Sequence, residues 1–266
     1  MLDQVRSALF LPASNPRAIE KARGLACDMV ILDLEDAVAD ADKDSARAAA
    51  VAAADGDWGE RLLAVRLNGR GPWHDADIGA LAGLSAVDLM VVPKVETPEY
   101  ADALAGRLGR PLLAMIETPS GIYAARDIAG VTGVVGLLAG SNDLAATLRV
   151  PGGRDGLTLA LQSIVLAARG AGIAALDGVF NRLDDPQALE ADCIAGRAMG
   201  FDGKSLIHPN QIETANAVFG PSAEELEEAS ALIAAATGGA ERFRGRMIEA
   251  MHVEAARRAL KRAGLA

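Results

Sequence analysis

Short apolar runs alternate with longer, charge-flecked stretches along most of the chain. The runs fall at 8–11, 29–33, 62–67, 89–93, 112–116, 134–139 and 174–177, with a weaker one at 202–206. Apart from the last, each is nearly unbroken and aliphatic, which is the pattern of a strand buried on both faces. Between them, stretches such as 44–54, 99–108, 158–170 and 186–199 repeat their apolar positions at helical spacing. Eight such alternations predict a (β/α)₈ TIM barrel. A doubly wound sheet would carry a Gly-rich turn after its first strand, and the turn here is Pro12-Ala13-Ser14-Asn15-Pro16. Past Gly220 the pattern changes. Ser222 and the early acids Glu224 and Glu225 predict the start of a helix over 223–236. Thr237-Gly238-Gly239 breaks it, and 246–263 reads as a final amphipathic helix, basic toward its end. The expected organisation is a barrel over 1–220 and a helical extension over 221–266. The extension is surplus to the barrel and is expected to pack on a neighbouring subunit.

Polar side chains gather where the runs end. Asp33, Glu35 and Asp36 follow the second run, Arg66 and Asn68 the third, Lys94 and Glu96 the fourth and Glu117 the fifth. Ser141, Asn142 and Asp143 follow the sixth, Asp177 the seventh, and Lys204 and His208 the eighth. In a barrel these ends converge on one mouth, the face where active sites lie. Helix capping explains Asp143 or Ser120 singly, but not acids and bases at nearly every strand end. Glu117 and Asp143 are the best pair for a hard divalent cation. Mg²⁺ is the expected ion, because it takes one or two carboxylates and keeps waters or substrate oxygens for the rest. Arg66 is expected to clamp a substrate carboxylate through its bidentate fork. Gly140, Ser141 and Asn142 are expected to shape the substrate pocket. The cluster of Asp33, Glu35 and Asp36 needs a positive neighbour, for which the metal, Lys94 and Arg6 are candidates. Asp36 is read either as the cap of the next helix or as a supporting group at the site.

The histidines offer less. His208, before Pro209, is expected to orient its loop. His74 is expected in an exposed loop and His252 on the surface of the final helix. No two have metal-ligand spacing, so zinc is not expected. No serine has a His/Asp arrangement that would make it a nucleophile.

Composition narrows the class. Of the 266 residues 51% are hydrophobic and 3% aromatic, which suits aliphatic helices packed on a parallel sheet. The net charge of −10 argues against binding nucleic acid or anionic membranes. No run is long enough to span a bilayer, and the first residues lack the apolar core of a secretion signal. Cys27 and Cys193 form no disulfide framework and read as buried thiols of a cytoplasmic protein.

Taken together, these motifs resemble those of the citrate lyase β-subunit-like proteins of the HpcH/HpaI aldolase superfamily. The resemblance rests on Arg6-Ser7-Ala8-Leu9-Phe10-Leu11-Pro12, Leu32-Asp33-Leu34-Glu35-Asp36-Ala37-Val38 and Val65-Arg66-Leu67-Asn68. It continues through Pro93-Lys94-Val95-Glu96, Ile116-Glu117-Thr118 and Gly140-Ser141-Asn142-Asp143-Leu144. Gly203-Lys204-Ser205-Leu206-Ile207-His208-Pro209 and Phe219-Gly220-Pro221-Ser222 complete it, so it covers nearly the whole chain. It implies a Mg²⁺-dependent carbon–carbon lyase, usually a homotrimer, acting on β-hydroxyacyl-CoA thioesters such as malyl-, citramalyl- or citryl-CoA. The products implied are a 2-keto acid and acetyl-CoA. By that resemblance Glu117 and Asp143 bind Mg²⁺ and Arg66 binds the keto-acid carboxylate.

Physical chemistry extends the implied reaction. A Lewis acid stabilises the alkoxide of a retro-aldol cleavage. The departing thioester enolate needs a hydrogen-bond donor, for which Arg66 is also a candidate. Arg17 and Lys21, after the first run, are the best candidates for the coenzyme A phosphates. Many relatives carry Gly-x-Met-Ile-Asp before the last helix, with the Asp reaching a neighbour's site. Here the stretch is Gly245-Arg246-Met247-Ile248-Glu249, so Glu249 would do that general-base work with one more methylene. Three other readings stand beside the lyase. They are a citrate lyase β subunit acting on an acyl-carrier-protein thioester, a malyl-CoA thioesterase, and a non-catalytic keto-acid-binding protein.

Overall fold

The computed structural model describes residues 2–151 and 153–265. Eight parallel strands close into a barrel in sequence order: β1 (Ser7–Pro12), β2 (Met29–Asp33), β3 (Leu62–Arg66), β4 (Leu89–Val92), β5 (Leu112–Ile116), β6 (Val134–Ala139), β7 (Ala174–Asp177) and β8 (Gly203–Leu206). Helices follow the strands on the outside: α1 (Pro16–Ala22), α2 (Lys43–Ala54), α3 (His74–Leu81), α4 (Pro98–Leu108), α5 (Pro119–Ala129), α6 (Ser141–Leu148), α7 (Thr158–Ala171), α8 (Pro186–Met199) and α9 (Ile212–Phe219). The TIM barrel expected from the alternation is therefore the fold. The weak eighth run is a true strand, and it closes the barrel against β1. Among the described residues no helix is long and apolar enough to cross a membrane.

The strands are apolar on both faces because each face meets a different layer. Met29 and Ile31 of β2 point inward with Ala64, Val91 and Met115. Val30 and Leu32 point outward against the helices, in a second and larger cluster. Leu2 and Val5 are buried with the inner cluster. The alternation carries Asp33 to the inner face at the end of β2, in register with Arg66 of β3.

The same alternation sends Lys204 and Asp177 the other way. Ala8 pairs with Ser205 across β1 and β8, so Ser205 shares the inward face of Ala8. Lys204, its neighbour, points outward beside Asp177. There Lys204 Nζ lies 3.0 Å from Asp177 Oδ2 and 2.6 Å from Asp192 of α8, and Arg154 completes a buried ionic cluster. Burial opposes the charge of Asp177, but Lys204 and Arg154 override it and hold the carboxyl below its ordinary value. The expectation that Asp177 and Lys204 face the mouth is thus corrected: they tie the barrel wall to α8.

After Gly220 come α10 (Ala223–Ala235), a hairpin of β9 (Glu241–Phe243) and β10 (Arg246–Ile248), and α11 (Ala250–Arg262). Ser222 caps α10 as expected, accepting from Glu225 N at 3.1 Å. The last helix starts later than its periodicity predicts. Arg244 (φ 45°) and Gly245 (φ 85°) make a two-residue turn, which suits a hairpin and stops a helix. Glu249 is therefore the residue before α11, not part of it. Helices α10 and α11 share a small core of Ala229, Leu232, Ile248 and Ala256.

Candidate active site

At the mouth, neighbouring strands hand charges to one another. Arg66 Nε and its second terminal nitrogen each reach Asp33 at 2.6 Å, a closed bidentate pair. The remaining nitrogen lies 3.1 Å from Glu35 and 3.3 Å from Asp36. The guanidinium stacks over Phe10, 5.0 Å from its centroid. Burial works against its charge, but Asp33 holds its pKa above the ordinary value. The fork assigned to the substrate is therefore bound to Asp33, leaving the edge beside Glu35 and Asp36. Asp36 does not cap a helix: α2 begins seven residues later, at Lys43.

Glu117 follows β5, and Thr118 caps α5 by accepting from Gly121 N at 3.1 Å. Glu117 is buried, with 4% of the residue exposed. Its Oε1 accepts from the backbone N–H of Lys94 at 2.7 Å, and its Oε2 accepts no hydrogen bond among the described residues. Burial pushes its pKa up to about 7; the Lys94 amide opposes this, while Glu35 and Asp143 add to it. Asp143, in the first turn of α6, is half-exposed, and Lys94 Nζ lies 3.5 Å from its Oδ2. Gly140 is required: a Cβ there would sit 2.2 Å from Glu117 Cβ.

These residues fit a hard divalent cation. Glu117 is held through Oε1 by the Lys94 amide and leaves Oε2 free, and Asp143 has only a long ammonium contact among the described residues. Among the described residues no three His, Cys, Asp or Glu side chains form a ready-made cage. Two carboxylates with open positions are what Mg²⁺ takes when waters and substrate supply the other oxygens.

Two cavities flank the mouth. One, of about 590 Å³, is lined by Glu35, Asp36, Arg70, Lys94 and Thr118. The other, of about 570 Å³, is lined by Ser141, Asn142, Arg154, Phe180 and Asn181. Asn142 and Asn181 pair through their amides at 2.7 Å. Arg17 and Lys21 are exposed on α1 and line neither cavity. Glu249 makes no hydrogen bond or ion pair to a mouth residue of its own chain; its N–H donates to His252 Nδ1 at 3.0 Å.

Sequence reasoning missed the anchoring of Arg66 by Asp33, which depends on register, and the placement of Arg70, which lies 3.9 Å from the Tyr100 centroid. It also misplaced His74. That residue is buried at the start of α3, with Nδ1 2.9 Å from Asn68 O and Nε2 3.3 Å from Tyr100 Oη. Asn68 in turn donates from its backbone and side chain to buried Asp77, so it braces the β3 loop. Of the candidates to offset the acids, Lys94 does so, and Arg6 pairs with Asp28 instead. His208 accepts from Asn210 N at 3.2 Å, the loop-orienting role expected of it. His252 is half-buried, not on the surface. Both cysteines are buried, and burial pushes each thiol up to about 11.

Known proteins are similar to this chain in sequence and fold. The family described as HpcH/HpaI aldolase/citrate lyase matches residues 6–209, and one described as a C-C bond lyase of the TIM-barrel fold matches 157–265. A (3S)-malyl-CoA thioesterase of Cereibacter sphaeroides is 42% identical over 97% of this chain and 94% of its own. The citrate lyase subunit beta of Leuconostoc mesenteroides is 36% identical over 86% of this chain and 82% of its own. The crystal structure of CitE from Mycobacterium tuberculosis in complex with magnesium, acetoacetate and coenzyme A superposes with a TM-score of 0.82. It is 37% identical and covers 97% of each chain. The chain therefore belongs to the HpcH/HpaI aldolase/citrate lyase family.

Proposed function

We propose that this protein is a Mg²⁺-dependent enzyme of β-hydroxyacyl-CoA thioesters that cleaves, or forms, the bond between a 2-keto acid and acetyl-CoA. The observation that carries the reading is the convergence of Glu117, with one free oxygen, and Asp143 on one side of the mouth, facing Arg66 on the other. Relatives named for magnesium, coenzyme A and malyl-CoA support it.

Glu117 and Asp143 would hold the ion, which supplies Lewis-acid stabilisation of the oxygen that changes from hydroxyl to keto. The edge of Arg66 beside Glu35 and Asp36 takes the keto-acid carboxylate in exchange for its contacts to those two acids, while Asp33 fixes the guanidinium in place. In the cleavage direction the β-hydroxyl gives up its proton to a carboxylate at the mouth, a role for which exposed Asp36 is the candidate. The bond to the thioester α-carbon then breaks, and its electron pair moves into a thioester enolate. Glu249, brought from a neighbouring subunit of a homotrimer, protonates that α-carbon. The half-exposed acid at the entrance to α11 and the exposed Met247 and Met251 beside it suit such a contact. Ser141 and Asn142 border the substrate, and exposed Arg17 and Lys21 are candidates for the coenzyme A phosphates.

A second reading has its own support. The 42% identical relative is a thioesterase, and Glu249 could direct water at the thioester carbonyl. One experiment separates the two. Malyl-, citramalyl- and citryl-CoA are supplied with and without Mg²⁺ and the products identified. A keto acid with acetyl-CoA supports the lyase; the free hydroxy acid with CoA supports the thioesterase. No Mg²⁺-dependent product from any of the three sinks both.

A further inference from the structure

Lys94 is held in an unusual way for a half-exposed lysine. Its backbone sits at φ 51°, a left-handed conformation disfavoured for a residue with a side chain, and its N–H is fixed on Glu117 Oε1. That backbone aims the ammonium at the carboxylates. Nζ lies 3.1 Å from Glu35 Oε1 and 3.5 Å from Asp143 Oδ2, with Glu117 as a further charged neighbour. Arg66 is engaged with Asp33 and the far oxygen of Glu35. Lys94 is therefore the cation that balances the Asp143 side of the mouth.

Building on the metal assignment above, we propose that Lys94 is a tethered counter-cation of the metal seat, which a divalent ion displaces from Asp143 when it binds. The two contacts differ in the way this requires. The one to Glu35 is shorter and partly buried; the one to Asp143 is longer and lies between half-exposed groups, so it is cheap to break. A doubly charged ion on Asp143 repels an ammonium at the same oxygens, and Lys94 can retreat onto Glu35. In the metal-free protein Lys94 keeps the like-charged carboxylates from driving one another apart. The same competition sets selectivity: a monovalent ion gains too little from the two carboxylates to displace a tethered ammonium.

The test is calorimetric titration of the intact protein with MgCl₂ at pH 9. Lys94→Met and Lys94→Gly are expected to bind Mg²⁺ at least about tenfold more tightly than wild type. Lys94→Arg, which keeps the charge, is expected to stay within about threefold. Lys94→Gly also suits the left-handed backbone and retains the amide bond to Glu117, so it tests the idea even where Lys94→Met folds poorly. In the metal-free state Lys94→Met is expected to melt below wild type, with saturating Mg²⁺ closing most of the gap. Unchanged or weaker Mg²⁺ affinity in both neutral variants overturns the proposal. If Glu117→Ala abolishes binding while those variants leave it unchanged, only the role of Lys94 falls. If wild type binds no Mg²⁺, the metal seat falls and the proposal with it.

Discussion

At the scale of single residues, Glu117 is defined by what it lacks. It is a buried carboxylate with one amide partner and two acidic neighbours, and its own cation contact is indirect. Its pKa lies near 7 instead of 4.5, so the folded protein holds that proton more tightly than the unfolded chain. The metal-free fold therefore loses stability as pH rises from about 4.5 to 7 and is level above. Metal binding runs the other way, because it needs the carboxylate ionised. Mg²⁺ affinity is expected to rise about tenfold per pH unit up to about pH 7 and then flatten; calorimetry between pH 5.5 and 8.5 checks this, and a flat profile removes Glu117 from the metal. Glu117 and Asp143 were legible in the sequence because each follows an unmistakable strand. The engagement of Arg66 by Asp33 was not, since it depends on which residues of two strands lie side by side.

At the scale of elements, the strand pattern points to where the candidate site lies but not to which side chains enter it. Lys204 and Asp177 stand at strand ends as convincingly as Arg66 and Glu117, yet they sit one residue out of phase and face α8. A run too short to alternate gives no sign of its phase, and β7 and β8 have only four residues each. The outward cluster makes a sharp prediction. Lys204→Met strands buried Asp177 and partly buried Asp192, with Arg154 as their remaining partner. It is expected to cost about 3 kcal/mol in urea unfolding, while Mg²⁺ affinity stays within about twofold. A large change in affinity would place Lys204 back at the mouth. The end of the chain misled for a different reason: the apolar spacing of 246–263 is helical, but the Arg244-Gly245 turn spends its first residues on a hairpin.

At the scale of the molecule, the barrel supplies one half of the proposed chemistry and the extension the other. Among the described residues Glu249 makes no hydrogen bond or ion pair to a mouth residue of its own chain, and Met247 and Met251 on either side are 64% and 66% exposed. A site completed by a neighbour predicts complementation. Glu117→Ala and Glu249→Gln are each expected to lower turnover by a factor of about 10² to 10⁴. Co-expressed with different tags and purified as a mixed oligomer, they are expected to regain turnover, since some sites then draw an intact residue from each chain. A mixed oligomer as inactive as its parents would mean that Glu249 does not serve a neighbour.

The contact between positions 117 and 140 constrains the lineage as well as the catalyst. A side chain of any kind at 140 collides with the β-carbon of Glu117, and trimming Glu117 to aspartate or alanine leaves that carbon in place. Only a glycine at 117 would make room, and it deletes the carboxylate. On this backbone a bulkier residue at 140 and an acid at 117 are incompatible unless one of the two segments shifts. A relative that fills position 140 is expected either to have moved the β5 end or to have lost the proposed metal seat.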